Sequence, residues 1–344
     1  MSDTAGGRKA APTIAVIITT YNRAPFLRDA LRSLADQTAS ASAFEVVVVD
    51  DGSTDETRHI ATTVPGLPLR YAYQRNSGIA SARNHGIFLT TAPLLLFLDD
   101  DDVASPTLVD EHLKAHEQHT ADYYAVLGYT ALDEALRSDP LMNFCTNVSG
   151  LLFSYGNLKG RSVVDFTYFW GGRSSCKRRF LLQHGLFNPT FRFGNEDIEL
   201  GFRLAKRGFR VVYWPAAVST MVRPFTVDEF VNRTVRQGSS DVAFSRLHQN
   251  PLVQDLTRIE EASEAWLRVG VSYTAIVSSA RRLDEMARVK MRLGLPIESA
   301  EQAWLHHAYE RAFRAARMKG IHERRATSAQ ESESASAVRG KTSI

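Results

Sequence analysis

Four consecutive carboxylates, Asp99-Asp100-Asp101-Asp102, follow directly on the apolar run LLLFL at 94–98. Adjacent carboxylates repel one another, so a folded chain seldom packs them together without a compensating cation. Hard oxygen donors at a strand end suit Mg2+ or Mn2+, which bind one or two carboxylates and take their other ligands from substrate phosphates and water. The plainer alternative is a solvated acidic turn ahead of a helix starting near Pro106. Two further carboxylate pairs stand in comparable places. Asp50 and Asp51 close the run FEVVVVD (44–50), and Glu196 and Asp197 fall in the first turn of a helix predicted over 195–207. A carboxylate at the edge of Asp51 can accept hydrogen bonds from a base or a ribose, whereas Gly52 and Ser53 read as turn and helix cap. The helix macrodipole favours ionised Glu196 and Asp197, so one can serve as a general base while the other merely caps. Tyr21 offers an aromatic face to a base, or else a half-buried packing surface.

The elements that must hold these groups alternate. TIAVIIT (13–19), FEVVVVD (44–50), LRYAYQ (69–74) and LLLFL (94–98) read as buried strands, apolar on both faces as central parallel strands are. Between them, helical spacing of Phe26, Leu27, Ala30, Leu31 and Leu34 follows an Asn22 cap. Ser53-Thr54-Asp55-Glu56 reads as a capping box, and the Ala-rich stretch 79–89 as a third helix. Such alternation implies a doubly wound, mostly parallel sheet with ligands at the carboxyl ends of its strands. The polar residues Thr19 to Asn22, Asp50 to Ser53 and Asp99 to Asp102 cluster at those ends. Later in the chain, helical periodicity is predicted over 254–268, 273–293 and 299–317.

Five segments carry a family resemblance: VIITTYNR (16–23), VVVDDGSTDET (47–57), NSGIASARNHGI (76–87), FLDDDD (97–102) and GNEDIELGFRLAKRG (194–208). In this order and spacing, from about residue 13 to 225, the chain resembles the large family 2 of inverting nucleotide-sugar glycosyltransferases, which includes cellulose, chitin and hyaluronan synthases and soluble enzymes of glycan assembly. The resemblance implies a GT-A fold: a Rossmann-like, mostly parallel twisted sheet flanked by helices, here with a C-terminal helical appendage. It implies that Thr19 and Tyr21 hold the nucleoside base, that Asp51 recognises it, and that Arg83 meets the diphosphate. Asp99 and Asp101 match the acidic positions of the family's DxD motif, Asp101 as direct metal ligand and Asp99 nearer the ribose or sugar; the cofactor implied is Mn2+ or Mg2+. Asp197 matches the catalytic base, with Glu196 beside it. Trp170, in FWGGRSSCKRR, lies where relatives place a loop near donor and acceptor; it faces a sugar or serves as ordinary core.

There is a departure from the family pattern. Many relatives carry a histidine after the strand that follows the acidic helix, completing the metal site. Here VVYWPAAVSTMVRP (211–224) has Ser219, Thr220 and Met221 in that neighbourhood and no histidine. The QxxRW motif of processive synthases is also absent. The expected activity is therefore metal-dependent, inverting transfer from a nucleotide-sugar, UDP-sugar favoured, to a carbohydrate, lipid-linked or other hydroxyl acceptor. The rival from another class is a degenerate domain that binds nucleotide or scaffolds partners without catalysis. A nucleotidyltransferase would want a Gly-rich phosphate loop near the first strand, and none is present.

Composition sets the outer bounds. The 344 residues are 44% hydrophobic and 23% charged with a formal charge of +3, which suits a globular chain and gives no sign of nucleic-acid binding. Cys145 and Cys176 form no disulfide framework and no CxxC pair. The N-terminus shows no signal-peptide run, so the expected setting is cytoplasmic, with the basic C-terminal helices able to rest on the inner face of a membrane or to join a homodimer. The organisation expected is a flexible tail at 1–12, a glycosyltransferase domain at 13–250, a helical region at 251–320 and a disordered tail at 321–344. His112, His116 and His119 share helical spacing and are expected to face solvent, because no HExxH accompanies them.

Overall fold

The computed structural model describes residues 11–341, so the expected tail at 1–12 lies almost wholly outside the described residues. In chain order the elements are β1 (Ile14–Thr20), α1 (Ala24–Ala35), β2 (Phe44–Asp50), α2 (Thr57–Thr63), β3 (Leu69–Tyr73), α3 (Ile79–Leu89), β4 (Leu94–Asp99), β5 (Asp102–Ala104), α4 (Leu108–Gln118), β6 (Tyr124–Leu132), α5 (Glu134–Arg137) and α6 (Pro140–Asn143). They continue with β7 (Val163–Val164), β8 (Arg173–Lys177), α7 (Arg178–His184), α8 (Glu196–Ala205), β9 (Arg210–Met221), α9 (Val227–Leu247), α10 (Pro251–Thr257), α11 (Ile259–Val269), α12 (Tyr273–Arg292) and α13 (Ser299–Lys341).

The chain folds into two compact units. The first takes the residues through Asp133, then Tyr155–Arg192 and Glu196–Arg223. Its sheet runs β3-β2-β1-β4-β8-β6-β9-β5, with β7 beside β9. The half formed by β3, β2, β1 and β4 is parallel throughout, in the register Ile14↔Phe44 and Ile14↔Leu94. β8 then enters antiparallel between β4 and β6. The parallel half forms where the sequence is apolar on both faces. Ile14 to Ile18 and Val46 to Val49 are fully buried, with α1 laying Leu27, Leu31 and Leu34 onto the sheet. At about 25 cal/mol per Å2 of apolar surface, this layer is the main stabilising element of the unit.

Two expected helix starts differ from observation. Asn22 does not cap α1; its backbone is left-handed, φ 52°, and its side-chain oxygen accepts from the Thr54 N–H at 2.8 Å. Residues 53–56 form no capping box. Asp55 instead accepts from the N–H groups of Thr57 (3.1 Å) and Ala24 (3.0 Å), serving two helix starts at once. A local sequence pattern cannot show that the partner of a cap lies on another element.

The second unit comprises Glu134–Ser154, Phe193–Asn195 and everything from Pro224. Within this unit α9 groups with the C-terminal helices. α9 and α13 cross where Gly238 and Gly320 let the backbones meet: a Cβ on Gly320 would lie 1.9 Å from the Val235 carbonyl oxygen, and one on Gly238 2.1 Å from that of Arg317. Val242, Ile259, Ala262, Met318 and Ile321 form the apolar contact around them. Tyr309 donates to Asp284, which with Asp139 pairs Arg288. α13 continues as helix to Lys341, through most of the stretch for which Ser- and Ala-rich composition predicts disorder. No helix among the described residues is long and apolar enough to cross a membrane.

Candidate active site

All groups of the candidate site that follow belong to the first unit and lie at the carboxyl ends of β1, β2 and β4 or on segments that face them. The four aspartates are not equivalent. Asp99 ends β4 and stays at the mouth, 34% exposed at the side chain, while in the turn into β5 Asp100 and Asp102 are buried at 3% and 1% and Asp101 at 9%. Each is met by arginine. Arg23 donates to Asp100 Oδ1 at 2.8 Å and to Asp101 Oδ2 at 3.4 Å. Arg173 donates to Asp99 Oδ2 at 3.1 Å and stands 3.8 Å from Asp102. Arg83 lies 3.7 Å from Asp99, and Arg223 lies 3.8 Å from Asp101. Asp102 also accepts from Ser219 Oγ at 2.9 Å and Thr130 Oγ1 at 3.3 Å. Burial is the leading influence on the inner carboxyls, raising Asp100 to about 6, Asp102 to about 7 and Asp101 in the same direction, against the pull of the guanidinium groups.

Asp51 is buried and thoroughly engaged. Its Oδ1 accepts from Gln74 Nε2 and the Ser77 N–H, its Oδ2 from the Gly78 N–H, each at 2.8 Å. The carboxylate thereby fixes the loop that opens α3. Because Gln74 must turn its amide nitrogen to Asp51, its oxygen faces His85 Nδ1 at 2.9 Å, and that ring nitrogen is the donor. Tyr21, by contrast, is open at 49% exposure, as a stacking face requires. Thr19 lies beside it near the end of β1, half-buried.

Glu196 and Asp197 separate into two roles. Glu196 is buried and accepts from Arg83 at 2.7 Å; burial, then the charge of Asp197, push its carboxyl up against the attraction of Arg83. Asp197 is half-buried, with Oδ2 accepting the Gly171 N–H at 2.8 Å and Oδ1 the N–H of Ile198. Gly171 and Gly172 are required for this closeness. A Cβ on Gly171 would lie 2.3 Å from the Arg83 guanidinium, and one on Gly172 1.9 Å from Asp99 Oδ2. Trp170 just before them is half-buried. Its ring lies 5.1 Å from Tyr155 and its N–H donates to the Thr167 carbonyl, which leaves no indole donor for a ligand.

The sequence reading located Thr19, Tyr21, Asp51, Arg83, Asp99, Asp101, Glu196 and Asp197, all of them now placed at or facing the carboxyl ends of β1, β2 and β4. It missed Arg23, Arg173 and Arg223. Each stands within a noted segment, in YNR, GGR and MVR, but pairing each cation with one aspartate needs the strand register. It also misjudged two histidines. His112 and His116 on α4 are buried, not solvent-facing, and both meet the Ser175 hydroxyl at 2.8 Å. Burial drives the His112 ring down to about 3; burial and then the Lys177 charge drive His116 to about 2.

Whether the residues fit a divalent cation turns on the donor set. Asp99 and Asp101 supply the hard oxygens that Mg2+ or Mn2+ prefers, and such ions commonly take only one or two carboxylates when phosphates complete the sphere. No group of three His, Cys, Asp or Glu side chains that could hold a metal is found among the described residues. The set thus fits a cation shared with a phosphorylated ligand and not a protein-only cage.

Comparison with known proteins agrees with this layout. Residues 15–180 match the family described as Glycosyl transferase family 2. The chain is 35% identical over 227 residues to validoxylamine A glucosyltransferase of Streptomyces hygroscopicus subsp. jinggangensis, covering 59% of this chain and 54% of that protein. It is 33% identical over 215 residues to the succinoglycan biosynthesis protein ExoU of Rhizobium meliloti, covering 58% of this chain and 59% of that one. The chain thus spans little more than half the length of these curated relatives. Among solved structures, the mannosyltransferase PcManGT from Pyrobaculum calidifontis, in complex with GDP-Man and Mn2+, superposes with a TM-score of 0.56 at 21% identity over 90% of this chain and 87% of that one. S. aureus TarS 1–349 in complex with UDP gives 0.53 at 16% identity, covering 92% of each chain. These likenesses establish a GT-A-like fold. Over residues 15–180 the chain is similar to glycosyltransferase family 2.

Proposed function

We propose that this protein transfers a sugar from a nucleotide-sugar donor to an acceptor hydroxyl by single displacement with inversion at the anomeric carbon. The observation that carries the proposal is the division of labour between Glu196 and Asp197. One carboxylate is neutralised by Arg83 and buried, the other is aimed by a backbone N–H and kept at the surface of the site. In the reaction, Asp197 accepts the proton of the acceptor hydroxyl as that oxygen bonds to the anomeric carbon. The bond from that carbon to the diphosphate breaks, and its electron pair leaves with the nucleoside diphosphate. Gly171 orients Asp197, and Arg83 stands ready to face the negative charge that develops. A bound Mg2+ or Mn2+ ion, held by Asp101 and Asp99, would offset part of that charge. The GDP-Man and Mn2+ bound to PcManGT support this assignment by fold alone.

The donor base follows from counting acceptor positions on Asp51. A carboxylate has about four lone-pair sites, and three are taken by Gln74, Ser77 and Gly78. The remaining position on Oδ2 suits a base offering a single N–H, as uracil does. Guanine offers two parallel N–H donors and wants both oxygens, one of which is already full. The count therefore favours UDP- and dTDP-sugars, whose bases share that single N–H, over GDP-sugars, and UDP-sugar is the donor we assign. The acceptor is a carbohydrate, lipid-linked or other hydroxyl in glycan or glycoconjugate assembly, as the role named for ExoU suggests. A non-catalytic, nucleotide-binding role is the rival, and the engaged geometry of Asp197 speaks against it.

Calorimetric titration of UDP, GDP and dTDP, each with and without Mn2+, tests the donor assignment. UDP binding that requires the ion is expected; tight binding of GDP alone would overturn the count on Asp51. Asp197→Asn is expected to keep UDP affinity and to lose transfer by about 10³-fold or more. Transfer at the wild-type rate would remove Asp197 from the base role.

A further inference from the structure

We propose that Asn195, held by α9, is a positioning residue for Asp197. The proposal rests on the general-base reading of Asp197 above and gives the second unit a part in it. Phe193, Gly194 and Asn195 belong to that unit, although Glu196 and Asp197 follow them directly in the chain. All three are held by α9. The Arg236 guanidinium lies 3.9 Å from the centre of the Phe193 ring, and that of Arg233 lies 5.2 Å from it. The Ser240 hydroxyl donates to the Gly194 carbonyl. Gln237 Nε2 donates to Asn195 Oδ1 at 2.8 Å, and Asn195 Nδ2 donates to Asp241 Oδ1 at 2.7 Å. Arg233, Arg236, Gln237, Ser240 and Asp241 follow one another at helical spacing, so a single face of α9 seats the tripeptide.

The seat is firmest at Asn195. Asp241 is buried, and its second oxygen accepts from Arg317 Nε at 2.7 Å, so the carboxylate that takes the Asn195 amide is itself fixed by an ion pair to α13. A buried carboxylate holds its partners in one geometry, because leaving it unpaired is costly. Gly194 and Asn195 both have left-handed backbones, φ 77° and 61°, a conformation that asparagine adopts more readily than most side chains do. A residue just ahead of a helix commonly turns its side chain to that helix's own N–H groups, whereas Asn195 gives both ends of its amide to α9. Each of these bonds lies inside the second unit, and the peptide bond from Asn195 to Glu196 carries their constraint to α8. A misplacement of about 1 Å can cost a catalytic group about 10²-fold in rate. An anchor so near Asp197 therefore bears on transfer more than on donor affinity.

Swapping the two side chains in the full-length chain tests this. Asn195→Asp sets two carboxylates against each other, and adding Asp241→Asn restores one amide facing one carboxylate. UDP-glucose serves as the probe donor with water as acceptor, read as UDP release in the presence of Mn2+. Asn195→Asp is expected to lower kcat by about tenfold or more while KM and calorimetric UDP affinity stay within about twofold. Hydrogen exchange at the Ile198 N–H, which Asp197 accepts, should quicken in Asn195→Asp, and the double variant should recover both rate and protection. A wild-type kcat with wild-type exchange in Asn195→Asp overturns the proposal, as does a loss that the double variant fails to recover. An equal loss of UDP affinity also overturns it, marking Asn195 as a support of the fold, which melting curves would register. UDP release by Asp197→Asn at the wild-type rate would instead sink the general-base reading itself, and the role of Asn195 with it.

Discussion

Two polar clusters sit inside the first unit, and they solve burial in opposite ways. At the carboxyl end of β4, Asp99 to Asp102 are surrounded by Arg23, Arg83, Arg173 and Arg223, so each buried carboxyl is set against a cation. Between α4 and β8, His112, Ser175 and His116 form a chain of neutral groups, and the two rings give up their protons instead. An ion-paired cluster can exchange partners when a charged ligand arrives, whereas a neutral hydrogen-bonded one has nothing to exchange and serves only the fold.

This contrast can be broken or sharpened by substitution. The largest effect is expected for Gly172→Ala, whose methyl would displace the Asp99 carboxylate; transfer should fall by about 10²-fold with the melting temperature little changed. A wild-type rate would mean that the mouth of the acidic cluster tolerates movement. Ser175→Ala should do the reverse, leaving UDP binding intact while removing about 2 to 4 kcal/mol of stability, because two buried ring nitrogens lose their partner. Denaturant unfolding measures it. Next comes pH. Both rings titrate near 6.5 when unfolded and far lower when folded, so between these values the unfolded chain binds more protons. Stability is full above pH 6.5 and is lost as pH falls toward 3, and His116→Gln should flatten the slope of melting temperature between pH 6.5 and 4. Thr130→Val, which deletes one hydroxyl from the Asp102 network but leaves Ser219 in place, should cost only about 1 kcal/mol.

The parallel half of the sheet was legible because buried strands write themselves as unbroken apolar runs: 44–50 and 79–89 coincide with β2 and α3 as observed. The carboxylates of the site were legible for a related reason, since charged residues placed right after such runs have few structural uses. The arginines that balance them were not. Arg173 reaches Asp99 only because β8 runs antiparallel to β4, and nothing local in FWGGRSSCKRR encodes that pairing. Helical spacing placed His112 and His116 on one face correctly, but burial of that face depends on Ser175, a residue distant in sequence. The C-terminal helices of the second unit were read from their periodicity, while the close crossing of α9 and α13 at Gly238 and Gly320 is one that no single segment reveals.

The late arrival of β8 has a consequence for biosynthesis. A nascent chain that has emerged through Asp99 already holds all four strands of the parallel half, yet β4 keeps one open edge with the sequence Leu-Leu-Leu-Phe-Leu until Arg173 to Lys177 follow. Unpaired apolar edges recruit other strands. During translation the ribosome-bound intermediate is thus most vulnerable to misassociation between the emergence of these two strands. A chaperone that shields a single extended segment would find its substrate there.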